Sequence, residues 1–321
     1  MNIHTQILTP STKDLEHAAR IIQSGGLVSF PTETVYGLGA NAYNDTAVQK
    51  VFCVKGRPST NPLIIHVESY SKAAQIVQFN QASHILAKRY WPGALTLILP
   101  KADSVNIPSR VSSNSDFLAV RVPANAITLR FICHCGVPLV GPSANQSGRV
   151  SPTHPQHVLQ DLHGKIDAVI DGGQCEHGVE STVLTYYQGH FRLLRHGSIP
   201  VEEIQKDTGI EIDLSFHSTN VLSPGTLAKH YSPKTPLRLN ANRFKEGELF
   251  VAFGQTKGKN SFNLSESGCL KEAAKNLFAI LRDADQAAIS QEYTMIAIAP
   301  IPNSGLGITI NDRLRRASMA G

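Results

Sequence analysis

Short apolar runs rich in Val, Ile and Leu recur along this chain, and stretches compatible with helix separate them. That alternation constrains the fold more than any other feature, because strands interleaved with helices argue for an α/β domain. The runs are "LVSF" (27–30), "LIIHV" (63–67), "TLILP" (96–100), "FLAVRV" (117–122) and "DAVID" (167–171). Residues 12–24, 45–56, 70–78, 81–90, 124–134 and 155–163 read as the helices between and around them. The first is the clearest. Ser11 or Thr12 can cap it, Asp14 and Glu16 suit its positive end, and Leu15, Ala18, Ala19 and Ile22 form one face. Gly25 and Gly26 stop it.

The pattern changes near residue 206. "STNVLSPGTLAKHYSPKTP" is rich in Ser, Pro and Gly and has no clear period, so residues 207–235 read as a long linker or a loop with a task. Beyond it, "PLRLN", "ELFVAF" and "TMIAIAP" read as strands. "LKEAAKNLFAILRDAD" reads as an amphipathic helix with Leu270, Ala274, Leu277 and Leu281 on one side, and "NDRLRRAS" as a final helix. Length supports the same division, since 321 residues exceed the usual single domain. The expected organisation is an α/β domain over 1–206, a linker or loop with a task over 207–235 and a small α/β domain over 236–321.

Charge and cysteines narrow the function class. The net charge of +5 fits an anionic ligand but is too small to argue nucleic-acid binding by itself. Five scattered cysteines without framework spacing fit a reducing compartment. Cys133-His134-Cys135 lacks a second ligand pair and lies in an apolar helical stretch, so burial is expected there rather than a metal. The N-terminus lacks the charged start and apolar run of a signal peptide. No stretch approaches the roughly 18 apolar residues that span a bilayer. A soluble cytoplasmic protein with no membrane contact is expected.

Motifs exclude more chemistry. The P-loop, G-x-G-x-x-G, H-E-x-x-H and G-x-S-x-G patterns are all missing from the sequence. Four segments point to a polar site instead. "KGRPSTNP" (55–62) presents Lys55 and Arg57 on a proline-stiffened turn, either as a solvated surface turn or as a polyphosphate grip. "FPTETVYGLGA" (30–40) places Thr32, Glu33 and Thr34 in a turn after a buried strand, where α/β folds hold ligand groups. "GPSANQSGRVSPT" (141–153) packs Ser143, Asn145, Ser147 and Ser151 among Gly and Pro, a composition that suits a phosphate cradle or a plain loop. "DGG" with "GVESTV" (171–183) puts Ser181 at a strand start. Arg121 lies inside "FLAVRVP", where an unpaired charge is costly, so it must meet an anion, either a structural carboxylate or a ligand's. Arg195 in "RLLRHG" poses the same question more mildly.

Taken together, "KGRPSTNPL", "FPTETVYGLGA", "PSANQSG…SPT" and "DGG…GVESTV" resemble the threonylcarbamoyl-AMP synthase family, the YrdC-like proteins. "PGTLAKHYSPKTPL" resembles the linker of its two-domain members, with Thr226 and Leu227 departing from the bulkier residues expected there. "SGLGITINDRLRRAS" resembles the end of their C-terminal domain. The resemblance implies a YrdC-like twisted mixed sheet with helices, joined by a long linker to a small Rossmann-like C-terminal domain. It implies synthesis of threonylcarbamoyl-adenylate from L-threonine, bicarbonate or carbon dioxide, and ATP with Mg2+, releasing pyrophosphate and using no tightly bound organic cofactor. Downstream tRNA threonylcarbamoyl transferase proteins would consume the product, with weak direct tRNA binding permitted.

It also implies residue roles. Lys55 and Arg57 would grip the triphosphate. Thr34, His66, Arg121, Gly141 and Ser181 would bind threonine, with Arg121 on its carboxylate and Thr32 nearby. Asn61, Ser143, Asn145, Ser151 and Arg195 would contact ATP, as would the backbone of Phe117, and Tyr231 would fold over the mouth as a lid. No covalent protein nucleophile is required, which makes Cys175 a bystander. Two rivals are an RNA-binding module of the same fold and a carbamoyltransferase maturation domain. The chain lacks the aromatic-basic interleaving of the first. It also lacks the acylphosphatase-like segment and zinc-finger cysteines of the second.

Overall fold

The structure is a computed structural model and describes residues 4–215, 230–255 and 262–319. Among these residues one mixed sheet of eleven strands dominates. Its order is Gln6–Leu8, Ala168–Ile170, Val28–Phe30, Gly37–Asn41, Leu139–Val140, Ile64–His66, Phe117–Arg121, Leu95–Pro100, Thr182–Tyr187, His190–Arg195 and Ile212–Asp213. Val28–Phe30, Ile64–His66 and Ala168–Ile170 are buried at every position. Strands covered on both faces favour unbroken apolar runs, and those runs are what mark them in the sequence.

Three local features differ from the sequence-based expectation. The glycine-rich "GLGAN", absent from the apolar runs read as strands, is a strand antiparallel to Val28–Phe30. A Cβ at Gly37 would fall 2.8 Å from the Phe30 ring, so the missing side chain is what lets the strand lie against that ring. The helix expected over 70–78 is one turn, Tyr70–Ala73, capped by the Ser69 hydroxyl. The main sheet continues past residue 206. Helix Val201–Thr208 runs on, and Ile212–Asp213 pairs parallel with His190–Arg195, so the first residues assigned to the linker belong to the sheet domain. The remainder of that linker up to residue 229, including Thr226 and Leu227, lies outside the described residues.

Among the described residues the C-terminal unit has four parallel strands in the order Leu237–Arg238, Met295–Ile298, Glu248–Ala252 and Phe262–Asn263. Helix Leu270–Ser290 buries Ala274, Leu277 and Leu281 of the face read in its sequence, together with Phe278 and Ala284, and leaves Leu270 half-buried. Helix Leu306–Ser318 follows the last strand. The apolar core of this unit takes in Val35, Val150 and Val179 of the sheet domain together with Tyr231. The two units therefore share buried surface at the place where the polar segments converge.

Candidate active site

His66 and Arg121 end two neighbouring parallel strands in register, so both side chains leave the sheet side by side at its carboxyl edge. Open α/β sheets bind ligands at such edges. Gly141 follows the next strand and donates its N–H to the Ile64 carbonyl at 2.9 Å. A Cβ there would fall 2.7 Å from His66 Nδ1, so the backbone passes directly against the imidazole. Burial, aided by the Arg121 cation, pushes the His66 pKa down to about 3, which leaves the ring neutral.

The bend after Val28–Phe30 supplies Thr34. Thr32 Oγ1 accepts from the Val35 N–H at 3.1 Å and lies 2.8 Å from Thr34 Oγ1, so it staples the turn that presents Thr34. Ser181 precedes strand Thr182–Tyr187 and shares a 2.8 Å hydrogen bond with Thr96. Arg195 stands where its strand bulges, which re-aims it toward Ser181; its Nε and Nη2 donate to the Ser181 carbonyl at 3.1 and 2.9 Å.

The anion that Arg121 requires is present in the protein. Glu33, in the same "TET" bend, holds Arg121 Nη2 at 2.6 Å, with the two side chains 3% and 4% exposed respectively. Burial works to raise the Glu33 pKa, but the adjacent guanidinium outweighs it and keeps the carboxylate charged. Arg121 also donates to the Gly93 carbonyl and to Thr34 Oγ1. Of the two anions the sequence left open for Arg121, a structural carboxylate is therefore present, and a ligand would meet the N–H groups that remain.

Lys55 and Arg57 are buried rather than solvated. Lys55 ends its helix and donates Nζ to the carbonyls of Ser143 and Asn145, tying the "KGR" turn to the "PSAN" loop. Burial, with Arg57 beside it, drives the Lys55 pKa well down. Arg57 folds onto its own turn, donating to the carbonyls of Asn61 and Pro62 at 3.0 and 2.8 Å. Both amide atoms of Asn61 are buried without a hydrogen-bond partner among the described residues. Such orphans cost stability and are rarely left unexplained in a folded protein.

These segments close a cavity of about 40 Å3. Thr34, Arg57, His66, Arg121, Gly141, Ser143, Ser181, Arg195 and Tyr231 line it, drawn from segments up to two hundred residues apart. Lys55 and Asn145 lie directly behind the Ser143 wall. Ser151 lies one hydrogen bond behind the lining residue Glu180. Phe117 is not brought here. It starts the strand that Arg121 ends and lines a separate open cavity of about 1230 Å3 with Ser59, Thr60 and Arg110. That larger space is an exposed serine-rich surface, whereas the buried Arg57, Arg121 and Arg195 line the smaller one; Asn61 does not line it and joins it through its carbonyl, which accepts from Arg57. Cys175 is buried and bonded to no other cysteine, and burial raises its thiol pKa to about 12, which keeps the thiol protonated at neutral pH. Of the Cys133/Cys135 pair, Cys135 is buried as expected and Cys133 is exposed; no metal-holding cluster occurs among the described residues.

Sequence reasoning did not identify Glu180, His230 or Arg313. Glu180 lines the cavity, and its Oε1 accepts from Ser151 Oγ at 2.7 Å while its Oε2 accepts from Arg313 Nε at 2.9 Å. His230 and Tyr231 also line the cavity, and both are buried. The Tyr231 ring stacks on Phe278 at 5.4 Å, under the Arg313 guanidinium at 5.1 Å.

Comparison with known proteins gives the family. Residues 20–197 match the Sua5/YciO/YrdC family model, described as telomere recombination. Residues 199–319 match the model for the threonylcarbamoyl-AMP synthase C-terminal domain. The threonylcarbamoyl-AMP synthase of Pyrococcus abyssi is 39% identical over 94% of this chain and 93% of its own length. That of Bacillus subtilis is 36% identical over 98% and 95%. The crystal structure of P. abyssi Sua5 complexed with L-threonine superposes with a TM-score of 0.89 at 36% identity, covering 98% of each chain. Escherichia coli YciO, at 20% identity and a TM-score of 0.54, shares the fold over 61% of this chain. With both halves matched in order and relatives aligned nearly end to end, the chain belongs to the threonylcarbamoyl-AMP synthase family.

Proposed function

We propose that this chain is an L-threonylcarbamoyladenylate synthase. The observation that carries the reading is the convergence of threonine-sized polar groups and buried cations on one closed cavity, in a chain whose near full-length relatives are threonylcarbamoyl-AMP synthases. Threonine would sit against the strand edge. Thr34 and Ser181 would meet its polar groups, Arg121 its carboxylate, and the Gly141 backbone its side near neutral His66. Its amine, once deprotonated, adds to carbon dioxide derived from bicarbonate, forming an N–C bond and releasing a proton to solvent. A carbamate oxygen then attacks the α-phosphorus of ATP, the bond to the β-phosphate oxygen breaks, and pyrophosphate leaves.

Charge develops on phosphate oxygens in that step, so catalysis rests on fixed cations and on alignment. Arg57 and Arg195 face the cavity, and Lys55 braces the loop bearing Ser143, Asn145 and Ser151; together they would form the nucleotide end. Asn61 would satisfy its amide on the nucleotide. Mg2+ fits as a companion of the phosphates: Glu180 is the only carboxylate lining the cavity among the described residues, and it is committed to Arg313 and Ser151. About 40 Å3 admits little more than one water, so His230 and Tyr231 must swing out before substrates bind. Their return would exclude water from a labile mixed anhydride. Cytoplasmic tRNA threonylcarbamoyl transferases would use the product. No helix among the described residues is long and apolar enough to cross a membrane.

The test is pyrophosphate release by the purified chain with ATP and Mg2+, omitting threonine or bicarbonate in turn. Release should need both. Release that ignores either omission overturns the assignment.

A further inference from the structure

Arg313 has the largest side chain among those described with almost no exposure, and it belongs to the last helix of the C-terminal unit. It shares the buried helix face with Ile310, Leu314 and Ala317, an apolar stripe interrupted by one cation. A buried guanidinium is tolerated only with full pairing. Its partners lie mostly across the domain boundary: Glu180 Oε2 at 2.9 Å and the His196 carbonyl at 2.7 Å, with Asp312 Oδ2 of its own helix at 2.6 Å. One turn away, Thr309 Oγ1 donates to the Gly197 carbonyl at 2.9 Å. The contact is thus built from several bonds onto the strand ends that carry Ser181 and Arg195.

We infer that the C-terminal domain completes the nucleotide half of the site through Arg313, a positioning residue that acts through Glu180 on Ser151 and against the ring of Tyr231. The inference rests on the proposed synthase reading. A polyanion entering this cavity meets a lining carboxylate, Glu180, whose bare charge would repel it. Arg313 neutralises that charge from behind while leaving Arg57 and Arg195 to face the ligand. It also fixes Glu180 where Oε1 holds the Ser151 hydroxyl at 2.7 Å. The guanidinium lies 5.1 Å from the Tyr231 ring, within cation–π range, so the same residue seats the lid. The small domain is therefore part of the active site rather than an appendage to it.

The test compares wild type, Arg313→Met, Arg313→Lys, Glu180→Gln and the double variant Glu180→Gln/Arg313→Met in the full chain. KM for ATP and for threonine come from pyrophosphate release, and ATP Kd from equilibrium dialysis. Arg313→Met should raise ATP KM and Kd about tenfold or more while threonine KM moves less than about threefold, and Arg313→Lys should recover most of the loss. In the Glu180→Gln background, Arg313→Met should add less than about threefold, because the charge it answers is gone. Three results overturn the inference: a lowered Tm with ATP KM unchanged, equal rises for both substrates, or a further tenfold loss in the double variant. If Arg313→Met does not fold, the Glu180→Gln pair decides by the same margins. A wild type that never releases pyrophosphate refutes the synthase reading, and the dialysis series still judges Arg313.

Discussion

Acidification from pH 6 to pH 3 protonates Glu180 in an unfolded chain but leaves it charged in the folded one. Burial alone would raise its pKa, but Arg313, Arg195 and the Ser151 hydrogen bond outweigh burial and hold it at about 2, against an ordinary 4.5. Between those values the unfolded state binds the extra proton. The stabilisation is therefore complete above 4.5 and is lost as the pH falls toward 2. The gap corresponds to about 3 kcal/mol, of which about 2 kcal/mol disappears between pH 6 and pH 3. The perturbation that isolates it is Glu180→Gln, which keeps the shape and cannot titrate. Urea unfolding followed by far-UV circular dichroism at both pH values gives the stability of each protein. Glu33, also buried against an arginine, titrates in both proteins and cancels in the difference. In a two-unit chain the linkage belongs to whichever transition exposes Glu180. The variant should be the less stable protein at pH 6, and its deficit should shrink by about 2 kcal/mol at pH 3. Equal losses on acidification in the two proteins would refute the reasoning.

Other outcomes follow from the same geometry. Arg57→Ala, which removes a cavity-facing donor, and Lys55→Ala, which removes the brace on the Ser143–Asn145 loop, should each lower turnover well over tenfold; near-normal rates would place the phosphate grip elsewhere for Arg57 and leave the loop brace without a catalytic part for Lys55. Gly141→Ala puts a methyl 2.7 Å from His66 Nδ1 and 2.9 Å from Phe30, so threonine KM should rise about tenfold, and an unchanged KM would remove His66 and Gly141 from that subsite. Tyr231→Phe deletes a buried hydroxyl with no hydrogen-bond partner among the described residues, so Tm should hold or rise. If that hydroxyl meets ATP, as the lid role requires, ATP KM should rise a few-fold in the same variant; unchanged ATP kinetics would leave the lid without a polar contact.

The strands with unbroken Val/Ile content were legible because burial on both faces leaves that composition as its trace. Gly37–Asn41 was not, because its fit depends on the Phe30 ring and the sequence carries no apolar run there. The polar segments were legible as segments but not as contacts. Lys55 reads as a solvated or phosphate-gripping cation, yet its Nζ turns inward to two carbonyls of a loop about ninety residues away, a pairing only tertiary structure supplies. The demand that Arg121 meet an anion was legible from its apolar setting. Its partner Glu33 was in plain view in "FPTETVYG" and went unassigned because no sequence signal joins the two. For Arg313 a signal did exist. Ile310, Arg313, Leu314 and Ala317 follow the i, i+3, i+4, i+7 spacing of a buried face, so the arginine among them had to be paired. The sequence could not say that its partner would be a cavity-lining carboxylate of the other domain.

Carbon-13 bicarbonate traces the proposed chemistry most directly. The chain is incubated with labelled bicarbonate, L-threonine, ATP and Mg2+, quenched at once, and its nucleotides are resolved by mass spectrometry. The expected product is an AMP adduct carrying one threonine and one labelled carbon, formed in step with pyrophosphate. Pyrophosphate formed without that adduct, or an adduct lacking the label, would contradict carbamate attack at the α-phosphorus in this cavity.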